Sequence, residues 1–63
     1  MHIEPNTVYR SKAGEATVLT VAATDQRVVV LFGRQFGNRV VFDSRRMMMS
    51  REEFEDNFER DSE

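Results

Sequence analysis

His2 is the one imidazole in the chain, and the carboxylates gather at the other end as Glu52, Glu53, Glu55, Asp56 and Glu59. General-base or nucleophilic chemistry needs an activated Ser, Thr or Cys with a base held beside it. A terminal histidine and an acidic helix do not supply that pair. The carboxylates could attract a divalent ion, but they lack the alternating loop spacing and the glycine of a calcium site, so charged surface is the stronger reading. Gly33-Arg34-Gln35-Phe36-Gly37 has the glycines of a phosphate loop without its Lys-Ser/Thr ending, and neither GxxxxGK nor GxGxxG occurs. The chain therefore reads as a non-enzyme with no cofactor and no metal.

What remains is chemistry of contact. Arg34 and Arg39 flank Phe36, and Arg45-Arg46 follow shortly after, a cation-plus-aromatic grouping suited to protein or nucleic acid. Met47-Met48-Met49 adds flexible, polarizable side chains. Successive strand residues point to opposite faces, so the three methionines cannot all be buried. Tyr9 is a further aromatic candidate. Contact residues are thus expected among Arg34, Phe36, Arg39, Met47, Met48 and Tyr9, with a protein partner ranked above nucleic acid.

Charge supports that ranking. Residues 1–46 carry seven Lys/Arg against four acids, whereas residues 47–63 carry two Arg against seven acids, and the total is −2. Such a balance gives no general attraction to nucleic acid. The acidic end reads as a solvated helix face whose first carboxylates favour the helix dipole, or as a docking surface for a basic partner.

The elements that must position these residues are mostly β. Thr7 to Lys12 suits a first strand and Ala16 to Ala23 a second, in which Leu19, Val21 and Ala23 could share one face and Thr20 and Ala22 the other. Arg27 to Phe32 is apolar at consecutive positions, so both of its faces need cover. A second copy of the chain would supply it, which makes a homodimer a serious variant. Gly37-Asn38, between Phe36 and Arg39, is the signal of a two-residue II′ hairpin. A simple register then places Gly33 opposite Phe42, whose ring can cover the bare glycine backbone; a bulge at Gly33 is the alternative. A short fifth strand runs through Arg46 to Met48.

At Ser50 the regime changes. Ser50 with Glu53 forms a capping box, and Met49 with Phe54 stands at the two positions of a hydrophobic staple. Phe54 and Phe58 lie four apart on one side of the helix that follows, where they would plug the open end of a barrel. One domain over residues 1–63 results, with strands within 7–48, a helix over about 51–60 and a flexible acidic end at 61–63.

This order of short strands, hairpin and closing helix resembles an SH3-like small β-barrel of about five antiparallel strands. Tyr9-Arg10-Ser11, Gly14, Thr17-Val18-Leu19, Val28, Arg34 with Phe36, and Ser50-Arg51-Glu52-Glu53-Phe54 with Phe58 together look like a family of short phage and prophage proteins of unknown function. That resemblance implies an accessory protein that binds a host component.

Size and composition agree with a small intracellular domain. Sixty-three residues bury only about 60% of their unfolded surface, so stability is marginal. No cysteine is present to staple it. A hydrophobic content of 40% with 32% charged residues fits a soluble globular domain rather than a disordered chain. No apolar run approaches the roughly 20 residues of a membrane span, and MHIEPNTVYR lacks the basic start and apolar stretch of a signal peptide. A cytoplasmic location is expected, away from membranes.

Overall fold

In the computed structural model, residues 2–14 and 16–61 are described. They form six antiparallel strands and one short helix: β1 (Val8–Ser11), β2 (Thr17–Ala23), β3 (Arg27–Phe36), β4 (Arg39–Phe42), β5 (Met47–Ser50), α1 (Arg51–Asn57) and β6 (Phe58–Arg60). The sheet runs in the order β4-β3-β2-β1-β6, and β5 also pairs with β3. β3 is the long spine. β4 lies beside Gly33 to Phe36 and β5 beside Arg27 to Val30. Among the described residues no helix is long and apolar enough to cross a membrane.

Cross-strand register explains the core. Tyr9, Val18 and Phe32 form one row across β1, β2 and β3; Thr20, Val30 and Met47 form a second; Ala23, Val28 and Met49 form a third. Directly opposed residues point to the same face, and from these rows Tyr9, Val18, Val28 and Val30 are buried together with Ile3, Phe54 and Phe58. Of the two faces that alternation defines in β2, the inward one is therefore that of Val18 and Thr20, and Leu19 and Val21 lie on the other. TVLTV is apolar at both parities, and a register shift between Thr20 and Ala22 returns Ala23 to the core face. Thr20 is buried with its hydroxyl donating to Glu4 O and accepting from Thr7 N at 3.1 Å. Those bonds tie residues 4–7 over the sheet.

Ser50 caps α1, its side chain accepting from Glu53 N at 3.1 Å. Met49 packs against the core on one side of that cap. The helix is shorter than expected: it ends at Asn57, where Phe58 turns extended at φ −127°, ψ 151° while its N–H still reaches Phe54 O. β1 takes the chain from there. Lys12 N donates to Asn57 O at 2.8 Å, and Phe58, Glu59 and Arg60 pair with Ser11, Arg10 and Tyr9. Asp61, expected in a flexible end, donates its N–H to Val8 O and accepts from Arg10 at 2.9 Å. Residues 62 and 63 of that expected end lie outside the described residues.

The sheet is not closed into a barrel: β6 ends it on one side, β4 and β5 on the other. Seven helical residues advance about 10 Å, and neighbouring strands need a spacing of about 4.8 Å. The helix thus holds β5 and β6 too far apart to pair at its two ends. Phe54 fills the core beneath it, edge-on to Tyr9 and stacked on Phe58 with ring centroids 5.1 Å apart in both cases. Burying each phenylalanine contributes roughly 2 to 3 kcal/mol by area.

Candidate contact surface on the β3–β4 hairpin

Beyond Phe32 the spine leaves β2 and continues as a two-stranded ribbon with β4. Val18 opposite Phe32 is the last β2 pair, whereas Gly33, Arg34, Gln35 and Phe36 face Phe42, Val41, Val40 and Arg39. Gly37 alone of the two turn residues has positive φ, at 62°, as a II′ turn requires. Gln35 Nε2 donates to Gly37 O at 2.9 Å and pins the tip.

The glycine at the base of this ribbon answers the register question. Gly33 pairs with Phe42 without a bulge, and a Cβ added there would stand 2.7 Å from Val40 Cγ1 and 3.0 Å from Phe42 Cε1. Ring and glycine are in close contact. Val40 and Phe42 consequently share the face of Val29 and Leu31, while Arg34 and Phe36 continue the face of Val28, Val30 and Phe32.

Arg34, Phe36, Arg39 and Val41 are thereby brought to one face. The spine carries this face past the end of the core, and nothing covers it there among the described residues: Phe36 remains 57% and Val41 48% exposed. Arg34, Phe36, Val41, Phe42 and Asp43 line a shallow hollow of about 280 Å³. Among the described residues neither Arg34 nor Arg39 has an ion-pair partner. The arrangement offers an aromatic ring and a β-branched side chain between two available guanidinium groups, with one carboxylate at the rim.

The chain matches no family model, no curated protein and no solved structure.

The other expected contact residues fall elsewhere. Met48, 63% exposed, is opposite Val29 on the reverse face, and with Ala22, Arg27 and Val29 it lines a separate hollow of about 580 Å³. Met47, 42% exposed, is opposite Val30 on the core side. Two of the three methionines are therefore accessible, and they form no single patch with the arginines. Tyr9 requires a correction. It is fully buried, and its hydroxyl accepts from Glu4 N at 3.2 Å, because β1 is flanked by β2 and β6 and presents this residue to Phe54. Val41 and Asp43 were missed, although consecutive valines in RVVF already signal a strand apolar on both faces. His2 lies in solvent 3.7 Å from Glu4, and among the described residues no three His, Cys, Asp or Glu side chains gather as a metal site.

Proposed function

We propose that this protein is a non-enzymatic interaction module that engages a protein partner through the Arg34, Phe36, Arg39 and Val41 face of its β3–β4 hairpin. One observation carries the reading: a phenylalanine and a valine are held exposed between two arginines that have no ion-pair partner among the described residues, on a ribbon that contributes little to the core. Aromatic and arginine side chains are the residues that most often dominate protein interfaces. A two-stranded ribbon whose turn is pinned holds them with little entropy left to lose on binding. The resemblance to short phage and prophage proteins adds the expectation of an accessory role directed at a host protein.

Nucleic acid is the second reading, and the same two arginines flanking a stackable ring favour it. Asp43 weighs against it, since a phosphate entering the hollow beside Arg34 would meet a carboxylate. Capture from bacterial lysate with tagged protein, with and without nuclease, separates the two. A nuclease-resistant protein that is lost with Phe36→Ala supports the first reading; recovery that disappears with nuclease, or that weakens steeply with salt, transfers the surface to nucleic acid.

A further inference from the structure

The strand edge of this hairpin, as distinct from its face, has a property of its own. β4 is the last strand of the sheet beyond β3, so among the described residues its outer backbone groups have no strand partner. Asp43 N–H points inward to Phe32 O at 2.8 Å. Backbone groups alternate along an antiparallel strand, so Arg39 and Val41 also point inward and the N–H and C=O groups of Val40 and Phe42 point out.

The two ends of the β4-β3-β2-β1-β6 path differ in protection, and β5 beside β3 leaves a third edge. β6 bears Glu59 and Arg60, and ion pairs join Arg10 to Asp61 and Arg60 to Glu4 along it. Charges of this kind discourage strand addition. β4 reads RVVF, with no proline, no lysine and no charge at its two outward-pointing backbone positions. Of the two path ends it is the open one, and unlike the uncharged β5 it has a base and an acid, Arg39 and Asp43, at its two ends.

We propose that the occupant of the β4 edge is the β4 of a second copy, paired antiparallel about a two-fold axis at Val41. Two-fold symmetry keeps each face on its own side, so a residue can be opposed only by one of the same parity. Centring on Val41 sets Val40 opposite Phe42 of the second copy, where the outward N–H and C=O groups meet. The same register sets Arg39 opposite Asp43 of the second copy, and both lie on the face that carries Val41. Opposite charges directly across a strand pair are favourable. Centring on Val40 instead would put Arg39 against Val41 and leave Asp43 without a cation. Charge complementarity therefore selects both the occupant and the register.

The product is a four-stranded ribbon with both Phe36 faces on one side, which would let the hairpins engage a repeated partner with avidity. The interface is short and belongs to the weak, transient class. Self-pairing does not depend on what the Phe36 face binds, because Phe36 takes no part in it.

Sedimentation equilibrium up to millimolar concentration tests the pairing. The wild type, of 7.4 kDa, is expected to double its mass as concentration rises, while Arg39→Glu and Asp43→Arg each remain monomeric with unchanged circular dichroism. An equimolar mixture of the two variants is expected to recover the dimer. In that mixed pair the two substituted side chains, of opposite charge, face each other across one symmetry-related contact, and the native Arg39 and Asp43 face each other across the second. A monomeric wild type at millimolar concentration overturns the proposal. So does a dimer indifferent to both reversals, or a mixture that stays monomeric. Amides of Val40 and Phe42 that gain hydrogen-exchange protection only when an extended peptide is added would give the edge to another chain and overturn it equally.

Discussion

The ring of Tyr9 meets the ring of Phe54 edge-on, with centroids 5.1 Å apart and planes at 74°. One comes from β1 and the other from α1, so the contact joins the two ends of the chain. Phe58 stacks on Phe54 at 13° and starts the strand that pairs back onto β1. The three rings hold the helix against a sheet that does not close by hydrogen bonding.

Phe54→Ala should therefore cost about 3 to 5 kcal/mol, the usual range for removing a buried phenylalanine. Small domains have totals of about 5 kcal/mol, so the variant should be largely unfolded in thermal and urea melts. A melting temperature equal to the wild type would contradict the packing role.

Gly33→Ala should destabilise the hairpin by about 1 to 3 kcal/mol, as overpacking does. The added methyl would meet Val40 Cγ1 at 2.7 Å and the Phe42 ring at 3.0 Å. In a Val40→Ala background the same change should cost less, since the nearer obstacle is gone. Equal penalties in the two backgrounds, measured by urea titration, would refute the contact.

Thr20→Val should leave Glu4 O and Thr7 N without their hydroxyl partner. An orphaned buried polar group costs about 1 to 3 kcal/mol. The amide of Thr7 should exchange faster with solvent while Val30, deep in β3, changes less. Uniform acceleration of both amides would mean that Thr20 supports the whole sheet rather than residues 4–7.

Legibility in the sequence followed the range of the interaction. The Ser50 cap and the Gly37 turn each depend on a few neighbouring residues and could be read from spacing, whereas spacing left Gly33 either opposite Phe42 or in a bulge, and the register chose the pair. Phe58 shows the limit. Its spacing from Phe54 fits a helical stripe, and only the free edge of β1, far away in sequence, makes it a strand residue instead. Tyr9 and the Val18/Thr20 parity were hidden for a similar reason: alternation defines two faces, but which one is buried depends on Val28, Val30 and Phe54. On the hairpin, the shared face of Arg34, Phe36 and Arg39 was readable because a two-residue turn sets their parity. Val41 and Asp43 join them through the β3–β4 register.

Whether the hairpin face makes the contact is decided by quantitative capture of the nuclease-resistant partner with wild type and with Phe36→Ala. The variant should melt within about 0.5 kcal/mol of wild type, as surface substitutions do. Its affinity should fall by more than about 1 kcal/mol, as when an interface anchor is truncated. Undiminished capture by a folded Phe36→Ala protein would contradict a contact made through this face.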